Sequence, residues 1–243
     1  MSAVGAVVMA AGAGRRMGCR PKSLLQRDGE SLLLRQVRLL RQCGVGDISV
    51  VLGHHAERLQ VVLVAAQAAG LVGDASLAWV RNPAPDDGPG SSLRYGLRSL
   101  PDELDTVLVV LGDQPLLEAE DVRVVLDAWQ ARAPGIELVV PSQGGEPGHP
   151  IAFGRRLREA VLRGQGGAGV REWRRAHRDQ VQELVMTHAR HVADIDTPED
   201  LQALARAHGV RLAWPDEEPA DGVKPSPAAS SRGLPGDQDQ PPR

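Results

Sequence analysis

Residues Val7 to Leu25 read VVMAAGAGRRMGCRPKSLL. The apolar run Ala3 to Ala11 predicts a buried strand, which breaks into a glycine-rich loop ending on a lysine before a leucine pair. Gly12, Gly14 and Gly18 let the backbone turn tightly and leave its N–H groups unobstructed, as a loop surrounding phosphate oxygens requires. Arg15, Arg16, Arg20 and Lys22 add positive charge. The stretch reads as a phosphate cradle with cationic walls at the mouth of a parallel sheet.

Two familiar phosphate loops do not fit it. A dinucleotide fingerprint needs glycine where Met17 stands, and a P-loop needs lysine directly after Gly18. Lysine usage adds a further clue. Of 28 Lys and Arg residues, only Lys22 and Lys224 are lysines, and Lys224 lies in a Pro-rich tail. A compact ammonium on a flexible stem fits beside crowded phosphates where a planar guanidinium does not, which marks Lys22 as a functional cation.

Composition narrows the class. At 243 residues with 42% hydrophobic content, the chain supports a sizeable core, and 2% aromatics leaves Val, Leu, Ile and Ala to build it. A net charge of −3, without a basic stripe or stacking aromatics, argues against nucleic acid as a partner. Cys19 and Cys43 are too few for a disulfide framework or a zinc module, so a reducing cytoplasm is expected. No stretch approaches a membrane span or a cleavable leader.

Along the chain, helices are expected at 31–42, 56–69, 91–100, 118–131, 155–162 and 166–177, and strands at 48–52, 77–80, 107–111, 136–140 and 181–186. Ser91 or Ser92 is expected near a helix cap. Strands alternating with helices predict an α/β fold, a doubly wound, mainly parallel sheet with helices on both faces. One domain over residues 1–212 and a disordered Pro-rich tail over 213–243 follow.

In such sheets ligands bind beyond the carboxyl ends of the strands. Gly112-Asp113-Gln114-Pro115 follows the apolar run before it and brings Asp113 to the same rim as the glycine loop, either as a metal ligand for nucleotide phosphates or as a turn residue. Pro147-Gly148-His149-Pro150 is a stiff turn displaying a histidine that either faces substrate or is satisfied by the backbone. Asp194 and Asp196 flank Ile195 on one face of an expected strand end, as metal ligands or as caps of the helix beginning at Thr197-Pro198.

Taken in order, Ala11-Gly12, Arg16-Met17-Gly18 and Lys22, then Asn82-Pro83 with Ser91-Ser92, then Gly112 to Leu116, then Gly148 to Ile151, then Asp194 to Leu201 resemble the MobA-like NTP transferase family. Its molybdenum cofactor cytidylyltransferase branch is the most similar. The resemblance covers nearly all of residues 3–207 and implies a Rossmann-like, GT-A-like nucleotidyltransferase fold. It also implies transfer of CMP from CTP to the phosphate of a molybdopterin-type acceptor, with Mg²⁺ and release of pyrophosphate, the product passing to a xanthine-oxidase-type molybdoenzyme.

By the same motif match, the nucleotide is bound by Ala10, Ala11, Gly12, Gly14, Arg16, Lys22, Asn82, Ser91 and Ser92. Lys22, Arg16 and Asp113 carry catalysis, Asp113 and Asp196 hold the metal, and His149 and Pro150 contact the acceptor. Ala10-Ala11-Gly12 and Gly112-Asp113-Gln114-Pro115 are similar to the cytidylyl branch, whereas the guanylyl branch tends to carry Ala-Gly-Gly and Gly-Asp-Met-Pro. Pro89 departs from the long apolar residue common in relatives. Use of another NTP such as GTP, a sugar-phosphate or other small-cofactor acceptor, and a non-catalytic cofactor chaperone are the rival readings, and Met17 disfavours a nicotinamide enzyme.

Overall fold

The computed structural model describes residues 3–71, 76–166 and 168–215. The elements run β1 (Val4–Ala10), β2 (Gln26–Arg27), β3 (Glu30–Ser31), α1 (Leu32–Gln42), β4 (Asp47–Leu52), α2 (Ala56–Ala68), β5 (Ser76–Arg81), α3 (Pro89–Ser99), β6 (Thr106–Leu111) and α4 (Ala119–Gln130). They continue through β7 (Leu138–Gln143), β8 (Glu146–Pro147), β9 (Ile151–Phe153), α5 (Arg155–Arg163), α6 (Val170–Ala176), β10 (Val181–Val185), α7 (Pro198–His208) and β11 (Leu212–Ala213).

The main sheet has the order β10-β7-β9-β6-β1-β4-β5, with β8 added on β7. β6, β1, β4 and β5 pair in parallel, so successive strands must be joined by crossover helices. Alternate residues of β1 enter different layers. Ala6, Val8 and Ala10 pack with Leu33 and Val37 of α1, Leu59 and Leu63 of α2, and Val125 and Trp129 of α4. Val7 packs with Leu93 and Leu97 of α3 and Leu157 and Val161 of α5. A strand buried on both faces cannot alternate polar and apolar residues, which is why β1 and β6 read as continuous apolar runs.

Three features differ from the sequence reading. β9 is an antiparallel strand inserted between β6 and β7, which makes the sheet mixed although mainly parallel. α3 starts at Pro89 with Gly88 as its cap, not at Ser91 or Ser92, because proline fills the first helical position and the φ of 99° at Gly88 suits glycine. α6 begins only at Val170, because the glycines before it form an irregular bend.

A third apolar cluster, Met17, Leu25, Leu32, Leu116, Ile195, Leu204 and Trp214, lies under the glycine loop. β11 pairs with β2, and Trp214 is buried with Arg20 stacked 3.9 Å above its ring. The packed unit therefore runs past the expected boundary at 212 to Trp214, because an indole of that size completes the cluster. The expected tail beyond Pro215 lies outside the described residues. No helix among the described residues is long and apolar enough to cross a membrane.

Candidate active site

The glycine loop leaves the carboxyl end of β1 and doubles back. The N–H groups of Met17 and Cys19 donate to the Gly14 carbonyl at 2.9 and 3.0 Å. Gly14 has φ 61°, and a Cβ there would lie 2.0 Å from the Arg20 carbonyl oxygen, so the turn requires glycine on two counts. Gly18 is also left-handed, at φ 67°. Gly12 is exposed, with open space where a side chain would project. Ala10 is buried, and Ala11 is held against the end of β4, where a Cβ on Gly53 would come within 2.4 Å of the Ala11 carbonyl oxygen.

Met17 is sunk in the cluster that also contains Ile195, which ties the loop to the segment before α7. Lys22 stands at the start of a short 3₁₀ turn, and its Nζ lies 2.9 Å from Asp113 Oδ2 and 2.9 Å from Asp196 Oδ1. Arg16 Nη2 reaches Asp196 Oδ2 at 2.5 Å. Four of the expected functional residues, Arg16, Lys22, Asp113 and Asp196, are thus joined in one charged cluster. Burial alone would depress the Lys22 pKa, but the two carboxylates outweigh it and raise the value above that of a free lysine. Burial likewise works to raise the Asp196 pKa, and Lys22 and Arg16 overcome it, holding that carboxyl below the usual range.

Asp194 is exposed and lies on irregular backbone instead of a strand end, since no strand among the described residues pairs there. Partial desolvation of its carboxyl by the surrounding chain and the nearby charge of Asp196 raise its pKa, opposed by Lys22. The helix after it does not need either aspartate as a cap. Thr197 Oγ1 accepts from the Asp200 N–H at 3.3 Å, and Asp200 Oδ2 accepts from Asp196 N and Thr197 N at 2.9 and 2.7 Å. This leaves the Asp196 carboxylate to Lys22 and Arg16.

Asp113 follows Gly112, whose N–H donates to the Met9 carbonyl at 2.9 Å and locks the end of β6 to β1. Gln114 is buried, donates to the His191 carbonyl at 2.8 Å, and accepts from Gln36 Nε2 through its own carbonyl at 2.8 Å. Two carboxylates within 2.9 Å of one cation form an oxygen donor set suited to a hard divalent ion.

Asn82, Ser91 and Ser92 come together but engage one another. Asn82 Nδ2 donates to Ser91 Oγ at 3.3 Å and Ser92 Oγ at 2.9 Å, its Oδ1 accepts from Ala84 N at 2.9 Å, and all three residues are buried. They act as a clasp that shapes residues 82–92. That loop carries Asp86, whose Oδ1 meets Arg15 Nη2 at 3.0 Å and His54 Nε2 at 3.2 Å, two exposed contacts the sequence reading did not anticipate.

His149 precedes Pro150 through a cis peptide bond, and Pro150 is buried. Burial first, and then the charge of Arg174, push the His149 pKa down to about 4, so the imidazole is neutral at neutral pH. With Met9, Pro89, Leu93, Leu111 and Ile151 it lines a mainly apolar cavity of about 320 Å³ at the carboxyl ends of β1 and β6. Pro89 therefore stands in the wall of the pocket. The site as a whole combines a glycine-rich loop, two cations, two carboxylates and an adjacent apolar hollow.

The sequence profile of the MobA-like NTP transferase domain matches residues 6–181. The chain is 31% identical over 175 residues to the bifunctional protein GlmU of Methylibium petroleiphilum, covering 72% of this chain and 35% of that protein. It spans about a third of the length of the curated relatives it matches. The crystal structure of Rv0371c from Mycobacterium tuberculosis is 26% identical, with a TM-score of 0.67 over 85% of this chain and 98% of that one. Rv0371c has also been solved in complex with manganese, at 25% identity and a TM-score of 0.63 over 85% of this chain and 100% of that one. A nucleotidyl transferase from Methanothermobacter thermautotroptrophicus shares the fold, with a TM-score of 0.64 at 24% identity over 83% of this chain and 95% of that one.

Proposed function

The chain belongs to the MobA-like NTP transferase family, and on that premise we propose that it transfers CMP from CTP to the terminal phosphate of a molybdopterin-type cofactor. A phosphate oxygen of the acceptor attacks the α-phosphorus of CTP, the bond to the β-phosphate oxygen breaks, and pyrophosphate leaves with the electron pair. The observation that carries the reading is Lys22 held 2.9 Å from both Asp113 and Asp196 beside the glycine loop. Such chemistry asks for positioning and charge neutralisation more than for covalent participation by side chains.

Each part then has a task. Backbone N–H groups around Gly12 and Gly14 receive phosphate oxygens, and Arg16 and Lys22 neutralise the charge that grows on the departing pyrophosphate. Asp113 and Asp196 would hold Mg²⁺, which supplies charge neutralisation on the triphosphate. The neutral His149 and the apolar cavity beside it suit the flat ring system of the acceptor. The match of Ala10-Ala11-Gly12 and Gly112-Asp113-Gln114-Pro115 to the cytidylyl branch supports the choice of CTP. A single methyl at Ala11 is worth only about 1–3 kcal/mol of discrimination, so the preference should be tens-fold and not absolute.

Pyrophosphate release measured across the four NTPs with purified molybdenum cofactor tests the proposal. CTP should lead, GTP should leak at high concentration, and Ala11→Gly should narrow the gap. Faster turnover with GTP, or transfer to a sugar phosphate beside none to the pterin, would overturn it.

A further inference from the structure

Behind the active site, the first turn of α4 faces the turn Ala189–His191. The Glu118 N–H donates to Asp121 Oδ2 at 2.9 Å, which fixes that carboxylate and leaves Oδ1 pointing at two histidines. His188 Nε2 and His191 Nε2 each lie 3.6 Å from Asp121 Oδ1, and the two rings stack nearly parallel, 5.6 Å apart. Asp121 is 1% exposed and His191 0%.

The partners of the rings decide where the protons sit. His191 Nδ1 lies 3.0 Å from the His149 carbonyl oxygen, which can only accept, so Nδ1 carries the hydrogen and Nε2 the lone pair. Arg190 Nη2 lies 3.0 Å from His188 Nε2 and can only donate, so that nitrogen also presents a lone pair. His191 Nε2 is buried and, among the described residues, finds no hydrogen-bond partner. Three electron-pair donors converge, and the Arg190 guanidinium, at 2.8 and 3.1 Å from Asp121 Oδ1, supplies positive charge to them. Arg190 is 37% exposed, so part of its side chain meets solvent.

We propose that Asp121, His188 and His191 form a divalent transition-metal site of the zinc class, separate from the Asp113 and Asp196 carboxylates, in which the metal exchanges with the Arg190 guanidinium. Two imidazoles and one carboxylate suit zinc and not magnesium. Two ligands each about 2.1 Å from a tetrahedral zinc stand roughly 3.4 Å apart, close to the 3.6 Å found here for both histidines against Asp121. The outer shell is also in place, since the far nitrogen of His191 donates to a carbonyl and the far oxygen of Asp121 accepts a backbone N–H. The site bears on the catalytic rim. The His191 carbonyl accepts from Gln114 Nε2 at 2.8 Å and from His149 N at 2.9 Å, so a metal here would stiffen the residue after Asp113 and the acceptor loop together.

The test uses the full chain carrying Asp113→Asn and Asp196→Asn, stripped of metal and titrated with Zn²⁺ against a chromophoric chelator. One equivalent should bind, His188→Ala should weaken binding at least tenfold, and Arg190→Gln should tighten it. X-ray absorption at the zinc edge should show outer-shell scattering from two imidazoles, a reading that needs no further variant. Zn²⁺ should also raise the melting temperature of Arg190→Gln but not of the double variant His188→Ala, Arg190→Gln. No stoichiometric binding, zinc without imidazole neighbours, or a His188→Ala protein that binds as the parent does would overturn the proposal.

Discussion

Lys22 was legible in the sequence because arginine replaces lysine almost everywhere else, and Asp113 because an apolar run delivers it to the strand ends. The structure adds that the Lys22 ammonium also meets Asp196, 174 positions away, which no local pattern encodes. Removing the ammonium should leave two carboxylates facing each other without their shared cation. Lys22→Ala is expected to keep its far-UV circular dichroism while steady-state turnover falls by about 10² or more, the scale for one preorganised stabiliser, and Lys22→Arg should recover only part. The hydrogen-bonding tasks of Gln114 and His191 were not legible in the sequence because they run through backbone carbonyls, which residue type does not announce. His149 carries a pH signature. Its folded-state pKa of about 4 lies below the ordinary 6.5, so the unfolded chain takes up a proton that the folded one refuses. The stability this gives is present above pH 6.5 and drains as pH falls towards 4. Melting curves across that window should be flatter for His149→Gln than for the parent.

Among the elements, β1, β4 and β6 were readable as apolar runs because burial on both faces removes any alternation. β9 was missed because a three-residue strand has no period of its own, and its antiparallel place comes from pairing with residues 107–109 and 138–139 far along the chain. The start of α3 was misread for a local reason: serine is the commoner cap, but Gly88 and Pro89 satisfy the geometry first. On the proposed function, the glycine loop is where element geometry bears most directly on activity. Gly14→Ala meets about 1–2 kcal/mol of left-handed strain and also drives a methyl into the Arg20 carbonyl. The loop must shift, and kcat/KM should drop steeply with little change in helix content. Gly12→Ala meets open space and should keep the parent's melting temperature, which separates the two glycines in a single thermal assay.

Over the whole molecule, the layered sheet was predictable from composition and the succession of strands and helices, while the third cluster was not, because it gathers Met17, Leu25 and Leu32 with Ile195, Leu204 and Trp214 from far along the chain. Trp214→Ala should destabilise by about 3–5 kcal/mol and lower the melting temperature by roughly 6–20 °C. A chain ending after Pro215 should melt with the parent and one ending after Arg211 well below it, as differential scanning calorimetry would show. That closure also sets a clock on synthesis. The glycine loop leaves the ribosome well before its partner, since Asp196 follows Lys22 only after 174 further residues, roughly 9–35 s at 5–20 residues per second. Throughout that interval the nascent chain has the cradle without its floor. The family's signature motif is thus made well before the carboxylate that completes its charged cluster, and a ribosome stalled before residue 196 would display a chain that carries the motif without its Asp196 partner.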